Sequence, residues 1–123
     1  MDEIKLVMLA ELSFKAEAFI NKAVTLETVP RFEQQTWAIQ AVEAKEWAAD
    51  KSAQTPMLDS IAAARGIAPD KLKDAALRKT LAYERLTAHI AGQRQSLQSK
   101  IENAPDIAAL DAIEIVFTLP EGG

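Results

Sequence analysis

Apolar side chains recur every three or four residues along the first segment of the chain, which is the spacing of one face of an α-helix. The positions on this face are Met8, Leu12, Ala16, Phe19, Ala23 and Leu26, with Leu9 and Ile20 beside them. The spacing predicts a first helix from about Asp2 to Leu26. Val7 and Phe14 point almost the opposite way. They are therefore either exposed singly, covered by another segment of this chain, or part of a second face that meets a partner.

The second predicted helix runs from about Pro30 to Asp50. Proline is well suited to the first turn of a helix, because the N–H group that it lacks would have no partner there. This helix carries two apolar faces. One face contains Phe32, Ile39, Val42 and Ala49, and the other contains Trp37, Ala41, Ala44 and Ala48, with Trp47 near the boundary. A helix that is apolar over most of its girth normally lies at the centre of a bundle. We therefore expect this helix to be buried on both sides.

A short third helix is predicted from Pro56 to Arg65. Thr55 suits the N-cap position before it, and Gly66 suits the left-handed conformation that ends a helix. Together with a further helix that begins at Pro69, this order of elements is also that of a helix-turn-helix DNA reader. The pattern therefore has two interpretations, a structural turn and a DNA-binding motif.

The fourth predicted helix, 69–103, is long for a chain of this size, at about 50 Å when each residue adds 1.5 Å. Its apolar positions are Leu72, Ala76, Tyr83, Leu86, Ile90, Leu97, Ile101 and Ala104. Other helices are needed to cover this stripe. Gly92 is the position at which we expect a bend, because glycine is a weak helix former.

The last segment changes its period. Pro105 interrupts the long helix, and one more short helix is predicted before the final residues. There, Ile113, Ile115, Phe117 and Leu119 alternate with Glu114, Val116, Thr118 and Pro120. A period of two predicts an extended tail over 113–123. Because a lone strand cannot pair its own backbone groups, the tail must lie on the helices or pair with another chain.

The composition agrees with a helical fold, because alanine, the best helix former, supplies 23 of the 123 residues. We predict an all-α protein, a small helical bundle or hairpin with one long helix and an extended C-terminal tail, in a single domain over 1–123. No apolar run reaches the roughly 18 residues that a membrane helix needs. The acidic start at Asp2 and Glu3 is not that of a signal peptide. We therefore expect no membrane role.

The sequence offers little catalytic chemistry. His89 is the only histidine, cysteine is absent, and no carboxylate lies three or four residues from His89. A base beside a nucleophile is therefore not indicated, and we predict no catalytic residue and no cofactor. The second helix carries three acidic residues on one face, Glu43, Glu46 and Asp50. They are either a solvated face or a carboxylate cluster that could bind a hard cation or serve glycoside chemistry. The polarity of that helix favours the solvated face, so we predict no metal site.

Charged residues are distributed unevenly along the chain. The net charge is −4, yet residues 65–100 hold eight Lys or Arg against three acids, and residues 101–123 hold five acids and no base. The basic part gives DNA binding some support. However, Asp70 and Asp74 occupy the first turns of the would-be recognition helix, where phosphates would be contacted. We therefore expect no nucleic-acid partner, and the acidic tail and basic helix can instead attract each other within or between subunits.

Four segments in combination resemble a known kind of protein. They are QQTW at 34–37, EWAAD at 46–50, TPML leading to AAARGI within 55–67, and GQRQSL at 92–97. They resemble an uncharacterised helical module that recurs in small tail-associated and tail-fibre-associated proteins of tailed bacteriophages and prophages. The resemblance spans about 30–112, and residues 1–29 and the tail lie outside it. That family brings no known catalytic or binding residues, so the resemblance implies only a context.

The context implied by the resemblance is a non-enzymatic structural or connector component of a phage tail, working through protein–protein packing. Its location would be the virion tail, and the host cytoplasm during assembly. Its partners would be other tail or fibre proteins and further copies of itself. One alternative is an assembly chaperone that leaves the finished particle, and a second is a small helix-turn-helix DNA-binding regulator. The candidate partner interface consists of Val7, Phe14, Ile115, Phe117 and Leu119.

Overall fold

The computed structural model describes residues 1–121, apart from the side chain of Glu27, and all regular structure in that part of the chain is helical. The helices are α1 (Asp2–Ala23), α2 (Arg31–Gln34), α3 (Trp37–Ala49), α4 (Pro56–Arg65), α5 (Pro69–Glu102) and α6 (Ile107–Asp111), with a 3₁₀ turn over Leu26–Thr28. The predicted all-α class is confirmed, as are the short third helix and the long helix. Gly92 lies inside α5, which continues through it.

Packing divides the chain into two compact units. Unit 1 contains residues 1–27 and the described residues from Arg85 onward, and unit 2 contains residues 28–84. Helix α5 therefore contributes its first half to unit 2 and its second half to unit 1. The single domain predicted over 1–123 stays a prediction, because this division concerns packing within the chain and not independent folding.

Helix α1 ends at Ala23, earlier than the predicted Leu26. The backbone of Thr25 takes a positive φ of 50°, which an α-helix cannot continue. On the predicted stripe, Leu12 and Ala16 are buried. The stripe therefore faces the interior of unit 1 as the spacing indicated, although the helix is shorter than expected.

The predicted second helix is wrong in its continuity, because the segment forms the two helices α2 and α3. The helical pattern is interrupted at Thr36. Its N–H donates to the Glu33 carbonyl at 2.9 Å, and its hydroxyl donates to the same oxygen at 2.6 Å. A hydroxyl that binds nearby backbone competes with the helical pattern. The expected burial on both sides is also wrong, since Ala44 and Trp47 are buried but Ile39 and Val42 on the opposite face are exposed.

The core of unit 2 joins α3, α4 and the start of α5. Its buried members are Ala44, Leu58, Ala62 and Leu72, and Ile61, Ile67, Ala76 and Leu77 pack against them. Helix α4 ends where Gly66 takes φ 70° and ψ 35°, the left-handed conformation that the sequence predicted. The N–H of Ile67 then bonds to the Ala62 carbonyl at 3.1 Å, which closes the helix and turns the chain into α5.

The start of α4 is capped by a side chain from another helix. Thr55 precedes the helix as predicted, but its buried hydroxyl donates to the Asp59 carboxylate at 3.0 Å and makes no cap. The Glu43 carboxylate of α3 instead accepts the N–H groups of Met57 at 3.0 Å and Leu58 at 2.9 Å. First-turn N–H groups have no partner inside their own helix and favour a negative charge. Glu43 therefore fixes α4 against α3.

We predict that Glu43→Ala destabilises the protein by about 1.5–3 kcal/mol, because two N–H groups lose a charged acceptor. Glu43→Gln keeps one side-chain oxygen and should cost less. Urea denaturation followed by circular dichroism measures both changes. Glu46→Ala is the matched control, since Glu46 is exposed on the same helix, and it should change stability by less than about 0.5 kcal/mol. Equal stabilities of Glu43→Ala and Glu46→Ala would contradict the cap.

The two internal glycines should respond oppositely to alanine. Gly66→Ala places a side chain at φ 70°, so we expect a loss of about 1 kcal/mol or more. Gly92→Ala meets no atom within 4 Å in the middle of α5, so we expect a gain of about 0.5–1 kcal/mol. Thermal unfolding of the two variants measures the difference, and a destabilised Gly92→Ala would show that the open space around Gly92 is needed.

Candidate interaction surfaces

Unit 1 has its own apolar core. Its buried members are Leu12 of α1, Leu97 and Ile101 of α5, Ala104 and Leu110. Lys5 of α1 donates from its ammonium group to the Glu102 carbonyl at 2.9 Å, at the C-terminal end of α5. A cation is favourable there because the last carbonyl groups of a helix carry partial negative charge. Helix α1 therefore supplies both a core residue and an end cap to α5.

The tail, residues 113–121 of the described chain, lies extended on this core. Ile113, Ile115 and Phe117 are partly buried and pack against the core of unit 1. Glu114, Val116 and Thr118 alternate with them and are exposed. The predicted period of two is thus confirmed in 113–118, and Gly122 and Gly123 of the predicted tail lie outside the described residues.

Polar side chains of α5 hold the tail as well. The amide group of Gln93 donates to the Thr118 hydroxyl at 2.8 Å and accepts the Thr118 N–H at 3.2 Å. Arg85 donates to the carbonyl oxygen of Glu121. The ring of Phe117 lies 6.2 Å from the ring of Phe19, measured between centroids and tilted by 45°.

These contacts define a binding surface for an extended segment. We call it the tail seat, and its members are Leu12, Phe19, Arg85, Gln93, Leu97 and Ile101. Apolar members receive alternate side chains of the tail, while Gln93 binds one backbone N–H group and one hydroxyl. Sequence reasoning missed Gln93 and Arg85, because nothing in the pattern of α5 distinguishes them from other polar residues on that helix.

The five residues of the predicted partner interface fall into two groups. Val7 and Phe14 on α1 are 68% and 75% exposed, and Leu119 is 59% exposed. No described segment of the chain covers Val7 or Phe14. Ile115 and Phe117 instead pack within their own unit. The structure thus separates surface-exposed candidates from tail residues in the seat, and contact of any of them with a partner stays a prediction.

Unit 2 exposes a further apolar surface that the sequence placed in the interior. Phe32 on α2 is 72% exposed, and Ile39 and Val42 on α3 are also exposed. Ile39 and Val42 line a shallow groove together with Gln54 and Pro56. The polar pair Gln35 and Thr36, where the helix breaks, is the signal that could have indicated a less central position.

The carboxylates considered for metal or glycoside chemistry do not act together. Glu43 is buried in the α4 cap, Glu46 is exposed, and Asp50 accepts the Ser52 hydroxyl at 2.7 Å and the Ser52 N–H at 2.9 Å. The hydroxyl and N–H of Ser52 lower the pKa of Asp50 from its ordinary value, because both donors favour the ionised form. Within residues 1–121, no group of three His, Cys, Asp or Glu could hold a metal ion. The solvated-face interpretation is therefore wrong for Glu43.

His89 lies on α5 one turn from Arg85 and one turn from Gln93. Its Nε2 atom is buried and has no hydrogen-bond partner in the described structure. His89 also lines an open groove with Gly92, Ser96 and Val116. Among the described residues, no hydrogen bond is seen between Nε2 and a serine or threonine hydroxyl.

The helix-turn-helix pattern is present as α4, the Gly66 turn and α5. Lys73, in the first turns of α5, is largely buried and lies 3.4 Å from the Asp59 carboxylate and 3.9 Å from that of Asp70. Its ammonium group also lies 5.6 Å from the centre of the Trp47 ring. Unit 2 holds eight Lys or Arg and eight Asp or Glu. Basic side chains therefore do not outnumber acidic ones in this unit, which gives DNA binding no support from net charge.

Residues 78–116 are similar to the family described as the HI1402 helical domain. The match covers α5 from Arg78 onward, α6 and the start of the tail, which is less than a third of the chain. That description gives a helical domain and no activity. No curated protein and no solved structure matches the chain. Within the described residues, no helix combines the length and apolarity needed to span a membrane.

We predict that Gln93→Ala loosens the tail, because it removes both hydrogen bonds to Thr118. Hydrogen exchange of the Thr118 amide, which donates to Gln93, should accelerate by about tenfold, which corresponds to the roughly 1.4 kcal/mol expected for such bonds. Gln95→Ala is the matched control, since Gln95 is exposed on the same helix. Unchanged exchange in Gln93→Ala, with the helices intact in both variants, would show that the apolar contacts alone hold the tail.

Proposed function

We propose that this chain is a non-enzymatic structural or connector component of a bacteriophage tail that works by packing against other proteins. The phage context comes from the sequence resemblance over about 30–112. The observation that carries the mode of action is the set of large apolar side chains left exposed on α1, α2 and α3. Such surfaces mark sites of protein–protein contact when they are contiguous.

Three observations support packing as the mode of action. Val7 and Phe14 lie on one face of α1, outside the core of unit 1. Phe32, Ile39 and Val42 give unit 2 an exposed apolar surface. Glu43, one of the carboxylates that suggested chemistry, serves as a helix cap. A buried Phe or Val contributes about 1.5–3 kcal/mol, so a few such residues suffice for docking.

We predict that the chain is found by mass spectrometry in purified particles of the phage that encodes it. Phe14→Ser should reduce its incorporation at least about tenfold, since a loss of 1.4 kcal/mol in binding is a tenfold change. Phe14 is exposed, so the variant should fold normally, and circular dichroism checks this. The matched control is Leu81→Ser, which removes an exposed apolar side chain from the middle of α5.

The same experiment separates the proposal from its alternative. A chain that binds unassembled tail or fibre protein but is missing from finished particles is an assembly chaperone. A chain absent from both particles and assembly intermediates would overturn the proposal. Equal incorporation of the Phe14→Ser and Leu81→Ser variants would exclude the α1 face as the contact surface.

A further inference from the structure

We propose that the open groove between α5 and the tail binds an extended peptide segment of another protein, which pairs as a strand with the tail and carries an Asp or Glu side chain. We call it the α5 groove. Its volume is about 500 Å³, and its lining includes His89, Gly92, Gln93, Ser96, Lys100 and Val116. All of these residues belong to unit 1. This binding mode goes beyond the proposed packing role and does not depend on the phage context, because it rests on unit 1 alone.

The tail directs unpaired backbone groups toward this groove. The N–H of Thr118 points toward α5, because it donates to the Gln93 side chain at 3.2 Å. In an extended segment, the N–H and C=O groups of every second residue point to the same side. Those of Val116 and Glu114 therefore also point toward α5, and neither N–H has a hydrogen-bond partner within the described residues. The tail thus offers an edge on which a second strand can pair.

Gly92 keeps space open beside that edge. Glycine in the interior of an α-helix is less favourable than alanine, and Gly92 has no positive φ that would require glycine. A side chain at this position would meet no atom within 4 Å. Packing among the described residues therefore gives no reason for glycine here, whereas glycine allows another backbone to approach a helix closely. Gly92 and the unpaired edge thus indicate the same occupant, an extended backbone.

Charge indicates which peptides fit. Lys100 is the single Lys or Arg among the described residues that line the groove, and that lining includes no Asp or Glu. Lys100 is exposed, and no described residue forms an ion pair or a hydrogen bond with its ammonium group. An acidic side chain in the groove would complement this charge.

The spacing along α5 sets the pattern of the peptide. Lys100 lies eight positions after Gly92, which is about 12 Å along a helix. An extended chain covers this distance in about four residues, at roughly 3.3 Å each. Side chains four residues apart lie on the same side of a strand. Since Ala88 and Leu97 also line the groove, we expect an apolar side chain beside Gly92 and an Asp or Glu four residues away from it.

A bead-bound library of random octapeptides is the probe, and the purified chain is the target. Selected peptides should be enriched in an apolar residue and an acidic residue four positions apart. The consensus peptide is then labelled and titrated by fluorescence anisotropy. Gly92→Leu fills the groove and should weaken binding at least about tenfold. Gln95→Leu is the matched control, since Gln95 is exposed on the same helix outside the groove, and it should leave the affinity unchanged. Circular dichroism checks that both variants remain helical.

Two further measurements test the pairing and the charge. Bound peptide should slow hydrogen exchange of the Glu114 and Val116 amides and leave that of Ile115 unchanged, because the Ile115 N–H points away from the groove. Lys100→Glu should weaken binding at least about threefold, and a peptide with Lys in place of its acidic residue should recover that loss. The charge exchange needs no change at Gly92, so it tests the site independently.

The proposal is overturned if the library yields no peptide whose affinity falls in Gly92→Leu, or if binding leaves exchange at Glu114 and Val116 unchanged. Affinity that does not respond to Lys100→Glu would overturn the acidic class of peptide. A wild-type chain that dimerises in sedimentation equilibrium, while Gly92→Leu stays monomeric, would assign the groove to a second copy and overturn the proposal as well. None of these results affects the phage-tail proposal, because the latter is tested on particles with Phe14→Ser.

Discussion

Burial of the apolar stripe along α5 is the constraint on which both units depend. Leu72 lies in the core of unit 2, and Leu97 and Ile101 lie in the core of unit 1. Each such side chain contributes about 1.5–3 kcal/mol when it leaves water, yet one helix cannot cover its own stripe. Helices α3 and α4 cover the first part of α5, and α1 and the tail cover the second part. The short helices thus lie where they remove this surface from water.

Polar groups fix the arrangement that burial alone leaves loose. Apolar contacts are not directional, whereas the two N–H groups at the start of α4 donate to the Glu43 carboxylate in a defined orientation. Gln93 performs a similar task in unit 1, where its amide sets the register of Thr118. In both cases one side chain satisfies backbone groups that its target segment cannot satisfy itself. These few contacts decide how the segments are placed along one another.

The two phenylalanines Phe14 and Phe117 show how the chain divides its apolar surface. Phe117 is taken up by the tail seat, next to Phe19, while Phe14 faces away from the core of its unit. The tail thus covers apolar surface within unit 1, whereas the face of α1 that carries Phe14 stays exposed in the described structure.

The sequence by itself determined the all-α class, the bounds of α4 and α5, the left-handed Gly66 and the alternation of the tail. These features follow from local rules of spacing, capping and backbone conformation, which nearby residues satisfy. Only the tertiary structure decided that Glu43 caps α4, that Gln93 binds the tail, and that Phe32 and Val42 are exposed. Each of these depends on which segments lie together across the fold, and hydrophobic spacing marks a face as apolar without specifying what covers it.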